Sequence, residues 1–244
     1  MVRRGFDGAV VVVIGGRGDI GAAVARQVAD LGSRVVVASR GAACADVPPE
    51  RGETAEFPVD ITDLASVQVL YERMSRWFGR VDVLVNAAGA TTSVPAAEVE
   101  QLSDEIVGEV FESNALGPVR LVREMLPLLR KGSDPVVVQV SSVAARTGQG
   151  SNTAYSGAKA ALDAMVIAWA KALAPIRFVN IAPSALANDF VPGRRPDFFD
   201  RTIAATPMGR LATSDEVAAA ILVAARCLTM TTGVVITVDG GRHL

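Results

Sequence analysis

The junction at residues 9–21 limits the possible folds most, because the run AVVVVI passes there directly into GGRGDIG. An apolar, β-branched run with no polar alternation describes a strand buried on both faces, and such strands belong to parallel sheets. The glycines permit a tight turn. AAVARQVADLG then carries helical periodicity to a stop at Gly32, and RVVVAS (34–39) is a second buried strand. Strand, glycine turn, helix and strand make one βαβ unit of about 30 residues. In that setting N–H groups at the helix start can hold a pyrophosphate, and the glycines let the backbone approach it closely. The motif reads in two registers: as G-x-G-x-x-G through Gly16, Gly18 and Gly21, or as the wider pair Gly15 and Gly21 with Asp19 between them. A carboxylate at Asp19 repels a diphosphate; an oxygen turned onto helix N–H groups as a cap relieves that conflict.

The same alternation continues along the chain. AEFPVD (55–60), VDVLVNAAG (81–89), PVVVQV (135–140), IRFVNIA (176–182) and GVVITVDGG (233–241) read as further strands. Helical patterns cover 63–79, 98–131 and about 153–174, and another begins at a Ser214 cap; the 98–131 stretch divides into two helices near Asn114 to Pro118. Residues 41–54 hold Gly41, Pro48, Pro49 and Gly52 and predict a loop or a short broken helix. Residues 184–212 are rich in Pro, Gly and Arg; in an enzyme they would form a lid over the substrate, with Phe190, Val191, Phe198 and Phe199 either as an apolar pocket wall or packing the lid down. No linker interrupts the series. The expected fold is α/β: a single domain over 1–244, a Rossmann-type doubly wound sheet of seven parallel strands flanked by helices.

Composition excludes several classes. The net charge is −2 without a long run of either sign, so no nucleic-acid or membrane surface is expected, and Arg194 and Arg195 read as a solvated loop pair. No apolar segment approaches the length of about eighteen residues that a membrane crossing requires. MVRRGFDGAVVVVIGG imitates a leader, but its apolar run is short and enters a glycine turn without a cleavage site, so a signal sequence is not expected. Cys44 and Cys227 lie far apart and suit a reduced, cytoplasmic protein. His243 is the sole histidine, which disfavours a Ser-His-Asp hydrolase and a His/Cys zinc site; no metal is expected. Acid–base work therefore falls to Tyr, Lys, Ser, Asp or Glu.

The stretch 138–159, VQVSSVAARTGQGSNTAYSGAK, gathers such groups. Tyr155 and Lys159 stand at i and i+4, one turn apart on one helix face. An ammonium near a phenol favours the phenolate, and such a Tyr could exchange a proton with an alcohol or carbonyl oxygen. Ser142 follows an apolar strand, at the end where α/β folds place their ligands. At the end of the second strand stand Ser39 and Arg40, with no carboxylate to reject a ribose 2′-phosphate. Arg40, and Arg17 in the glycine turn, could pair with that phosphate, which favours NADP(H) over NAD(H). Asp60 could accept from an adenine amino group or cap the helix at 63–79. Asn86 and Gly89 end the fourth strand, and Asn114 is a mid-helix Asn that suggests a kink.

Together these residues resemble the short-chain dehydrogenase/reductase family over essentially the whole chain. The likeness is carried by the glycine turn at 15–21, Asp60, NAAG at 86–89, Asn114, Ser142, Tyr155, Lys159, Pro183 and VDGG at 238–241. The spacing to Tyr155 is the family's own and selects Ser142 over Ser141. The resemblance implies hydride transfer between a nicotinamide and a carbonyl or alcohol carbon of a small-molecule substrate, in a homodimer or homotetramer. It implies that Tyr155 moves the proton, Ser142 bonds the substrate oxygen, Lys159 holds the nicotinamide ribose and lowers the Tyr155 pKa, and Asn114 keeps a water on a path to Lys159. It places the cofactor against Gly15, Arg17, Gly18, Asp19, Ile20 and Gly21. It continues along Ser39, Arg40, Asp60 and Ile61, then Asn86, Ala87 and Gly89, and finally Tyr155, Lys159, Pro183 and Asn188. The chain departs from the family at Ile14, where a Thr is usual, at Asp19 for a glycine, at Ser184 for a Gly and at Asn188 for a Thr. The general likeness is to 3-oxoacyl-carrier-protein reductases. The alternative, motivated by Asp19 and Ile14, is a cofactor-binding sensor or scaffold without turnover.

Overall fold

Every unalternating apolar run becomes a strand of one sheet. The computed structural model describes residues 5–244; Arg3 and Arg4, which open the leader-like stretch, lie outside them. The strands are β1 (Val10–Ile14), β2 (Arg34–Ser39), β3 (Thr54–Pro58), β4 (Val83–Asn86), β5 (Val136–Val140), β6 (Arg177–Pro183) and β7 (Val234–Val238). They form a 7-stranded sheet in the order β3-β2-β1-β4-β5-β6-β7, and neighbouring strands pair in parallel.

Between the strands lie α1 (Asp19–Asp30), α2 (Leu64–Trp77), α3 (Asp104–Phe111), α4 (Gly117–Leu129), α5 (Ala144–Thr147), α6 (Thr153–Ala172), α7 (Phe198–Ala204) and α8 (Ser214–Arg226). Strand side chains alternate between the two faces. Val11 and Val13 of β1 join a core with Val24 and Val28 of α1 and Val217 and Ile221 of α8. Val12 and Ile14 join the opposite core with Leu70 and Met74 of α2, Leu121 and Met125 of α4 and Val166 of α6. Both faces are therefore covered, which is why the strands carry no polar alternation. Each such side chain stabilises the fold by about 1.5–3 kcal/mol when fully buried.

Local chemistry moves several boundaries. β3 ends at Pro58, short of Asp60. The cap of α2 is Asp63, whose carboxylate accepts from the Ala65 N–H at 2.9 Å, whereas Asp60 accepts from Thr62 N–H at 2.9 Å and Thr62 Oγ1 at 2.7 Å. The cap of α8 is Thr213 rather than Ser214, because Thr213 and Glu216 satisfy each other's N–H groups in a capping box. Residues 41–53 stay irregular and form no helix. The interruption near Asn114 is a π-helical segment, Glu112–Leu116, joining α3 to α4.

From β1 the chain proceeds outward to β2 and β3, then crosses back to β4 on the other side of β1. Connections leave the carboxyl ends of β1 and β4 in opposite directions, and the resulting crevice is where such sheets bind ligands.

Candidate active site

The floor of the crevice is the glycine turn. Gly15 has φ of +73°, and a Cβ on it would meet the Ala88 nitrogen at 2.7 Å. At Gly21 a Cβ would stand 2.3 Å from the Gly15 carbonyl oxygen, so α1 can leave the turn this closely only with a bare backbone there. Asp19 does not cap α1. The N-cap is Gly18 and makes no side-chain cap bond, so Asp19 lies in the first helical turn with its carboxylate exposed. A carboxylate in the first turn of a helix is favoured by the dipole without serving as its cap.

Above the turn opens a cavity of about 830 Å³. Gly18, Asp19, Ile20 and Gly21 line it together with Ala87 and Gly89 and with Ser142, Tyr155, Lys159, Pro183 and Asn188. The sequence thus names residues from five separate segments that the fold gathers around one space. Open N–H groups at the start of α1 and close-approach glycines beneath them fit an elongated diphosphate ligand.

Other named residues support the cavity without lining it. Asn86 pairs in register with Gln139; its Nδ2 donates to Gln139 Oε1 at 2.7 Å, and its Oδ1 accepts from the Ala88 N–H at 3.1 Å, fixing the NAAG turn. Ile61 is buried against Gly117. Asn114 is fully buried in the π-helical segment, and its Nδ2 donates to Ala90 O at 2.7 Å and Val110 O at 2.9 Å. Among the described residues its Oδ1 has no partner, and a Cβ on Gly89 would stand 2.6 Å from it and 3.8 Å from Lys159 Nζ.

At the end of β2, the Arg17 N–H donates to Ser39 Oγ at 3.1 Å and Arg17 Nη1 to Gly41 O at 2.7 Å. Arg40 is exposed, and its charge acts on Asp60, whose carboxyl is held below the usual range despite its burial by bonds from Thr62 and by that charge. The expectation of no carboxylate here needs correction. β3 brings Glu56 in from another strand; its Oε2 lies 3.8 Å from Arg17 Nη1 and accepts from the Ala43 N–H at 3.0 Å.

Tyr155 and Lys159 share the first turns of α6, whose cap is Asn152. The Asn152 Oδ1 accepts from the Tyr155 N–H at 2.7 Å, and its Nδ2 donates to Thr92 O at 2.9 Å. Asn152, which the motif search missed, thus ties the Tyr155 backbone to the loop after β4; its signal was an Asn at the predicted helix start. Lys159 Nζ donates to the Val140 carbonyl at 2.8 Å and faces the Tyr155 ring at 5.6 Å from its centroid.

Burial works against the lowering of the Tyr155 pKa that the resemblance implies. Burial pushes the phenol up to about 12, opposed by the Ser142 side chain and the charge of Arg194. Burial also pushes Lys159 down to about 8, opposed by Asp163. Both groups are almost wholly out of solvent, and loss of hydration outweighs their proximity. The phenol is therefore a protonated donor at neutral pH. Arg194 is not a solvated loop residue either; it lines the cavity near Tyr155.

Among the described residues no group of three or more His, Cys, Asp or Glu is placed to hold a metal ion, and no helix is long and apolar enough to cross a membrane.

A family model described as Enoyl-(Acyl carrier protein) reductase matches residues 16–243. A cis-4-hydroxycyclohexanecarboxylate dehydrogenase of Sinomonas cyclohexanicum is 32% identical, covering 95% of this chain and 95% of its own. A rhamnolipids biosynthesis 3-oxoacyl-[acyl-carrier-protein] reductase of Pseudomonas aeruginosa is 31% identical, covering 97% of each chain. The solved structure of a glucose/ribitol dehydrogenase-type short-chain dehydrogenase/reductase from Brucella melitensis superposes with a TM-score of 0.87 at 25% identity, covering 98% of each chain. With likeness extending over virtually its whole length and onto the same fold, the chain belongs to the short-chain dehydrogenase/reductase family.

Proposed function

We propose that the protein is an NADP(H)-dependent oxidoreductase acting on a carbonyl or secondary alcohol carbon, with Tyr155 as the acid–base group. The observation that carries this reading is the convergence of Ser142, Tyr155 and Lys159 on one cavity that is also lined by the open N-terminus of α1. The family uses a nicotinamide cofactor, which when bound supplies or accepts the hydride at the reacting carbon. The chain's own residues do the rest. Ser142 and Tyr155 donate to the substrate oxygen as negative charge develops on it, and Tyr155 delivers its phenolic proton. Lys159, fixed to the Val140 carbonyl, is positioned to hold a ribose hydroxyl and to return a proton toward the phenol. The unpartnered Asn114 Oδ1 beside that ammonium suits a bridging water.

Two hydroxyl donors, Ser142 and Tyr155, lining one cavity favour C=O over C=C reduction, despite the description of the matching family model. The names of the relatives point the same way: one is a dehydrogenase of a hydroxy acid and the other a reductase of a 3-oxoacyl group. Arg40 and Arg17 support the 2′-phosphate preference, with Glu56 working against it. Residues 184–212 form the lid of this reading. The half-buried apolar edge strand β7 supports a homodimer or homotetramer, and a cytoplasmic site of action accords with two unpaired cysteines.

The test is fluorescence titration with NADPH and NADH, followed by a panel of acyl thioesters, cyclic ketones, quinones and sugars. The reading expects tighter NADPH binding and carbonyl-dependent NADPH oxidation. NADPH binding with no carbonyl reduced would favour a sensor instead, the alternative that the exposed Asp19 motivates.

A further inference from the structure

The lid carries a cation that hydride transfer does not require. Arg194 and Arg195 are adjacent in sequence but differ in surroundings. Arg195 is exposed and pairs with Asp197 at 3.3 Å, whereas Arg194 is half-buried in the wall of the cavity that holds Tyr155. The Arg194 guanidinium stands 4.5 Å from the Phe198 ring centroid and 5.3 Å from that of Phe199. Its Nη1 donates to the Asn188 carbonyl at 3.1 Å. Among the described residues no carboxylate forms an ion pair with it; exposed Asp189 acts on it only through space.

A guanidinium stacked on aromatic rings keeps its faces covered and its N–H edge available. One edge group is taken by Asn188, and those remaining form the fork that matches a carboxylate. Burial without an ion pair costs the group hydration, which an anionic ligand would restore. Phe190, 6.3 Å from the Tyr155 ring between centroids, and Val191 line the same cavity. The wall thus offers apolar surface beside a cationic anchor, in the same cavity as the reacting hydroxyls.

We propose that Arg194 determines specificity by binding a carboxylate on the substrate, so that the enzyme acts on oxo acids or hydroxy acids whose oxygen meets Ser142 and Tyr155. This assignment rests on the hydride-transfer reading for its chemistry but not for its binding. The carboxylate lies on the Phe198 side of the cavity, and the carbon skeleton runs along Phe190 toward Tyr155.

The experiment pairs 4-oxopentanoate, 5-oxohexanoate and 4-oxocyclohexanecarboxylate each with its methyl ester, which removes only the charge. In wild-type enzyme with NADPH, at least one acid has the higher kcat/KM of its pair. Arg194→Gln lowers that acid-to-ester ratio about tenfold or more, chiefly through KM. Arg194→Lys keeps part of it, having the charge without the fork. Where an acid or its ester is turned over, a ratio unchanged by Arg194→Gln, or no preference for any acid in wild type, overturns the proposal, as does an equal loss on acid and ester. Calorimetric titration of the acids into NADP⁺-loaded protein reads the same contact without turnover. Acids that bind wild type and lose affinity in Arg194→Gln support the carboxylate contact, and reduction of no acid and of no other carbonyl of the panel would then count against the hydride-transfer reading alone. Acids that bind neither protein, or both equally, overturn the Arg194 assignment.

Discussion

Burial sets the chemistry of Lys159. Its folded pKa of about 8 lies below the ordinary value of 10.5. Between those values the unfolded chain binds the extra proton, so stability rises with pH across that window and the gain is lost as pH falls through about 8. Lys159→Met should abolish that rise, which urea unfolding of cofactor-free protein at a series of pH values would measure; an equal rise in both proteins would contradict the buried ammonium. Asp163, one turn further along α6, opposes the shift. Its Oδ1 accepts from Asn180 Nδ2 at 2.6 Å, and Ser141, Arg146 and Lys159 also face it. It is a positioning residue, since it acts through Lys159. Asp163→Asn should move the alkaline limb of the pH–rate profile to lower pH, and a profile merely scaled down would assign Asp163 to structure alone. The i, i+4 pairing of Tyr155 and Lys159 was legible in the sequence because helical spacing is local. The direction of their pKa shifts was not, because hydration depends on what the rest of the chain stacks above them.

Among the elements, the strands were the most legible, since a run such as VVVVI can satisfy its side chains only inside a two-faced sheet. Helix starts were off by a residue where two oxygen side chains compete. Thr213 wins over Ser214 because only Thr213 stands three positions before Glu216. The break at Asn114 was readable from propensity, but its π-helical form was not, since that depends on Ala90 and Val110 carbonyls accepting from the Asn114 amide. At the end of β2, Arg40 is exposed and among the described residues makes no ion pair that would hold it away from a 2′-phosphate, whereas Arg17 is engaged by Gly41 and faces Glu56. Arg40→Asp should therefore shift the NADPH-to-NADH ratio of kcat/KM toward NADH by about tenfold or more. Steady-state kinetics with both cofactors checks this, and an unchanged ratio would remove Arg40 from the phosphate site.

Over the whole molecule, topology follows from alternating elements and the handedness of parallel crossovers, so the crevice between β1 and β4 could be anticipated. Contacts delivered from distant segments could not. Glu56 reaches the end of β2 from a separate strand, and Arg194 enters the cavity from a loop whose conformation no periodicity encodes. The fold brings the Tyr155 phenol into one cavity with an open helix N-terminus, and the central claim is that this phenol moves the proton accompanying a hydride. The most direct measurement follows NADPH deuterated at the transferring position through a single turnover with an accepted ketone, in wild type and in Tyr155→Phe. The predicted result is deuterium on the carbinol carbon in wild type, and a rate lower by about 10²–10⁴-fold in Tyr155→Phe with NADPH affinity retained. Carbinol without the label, or full turnover by Tyr155→Phe, would contradict it.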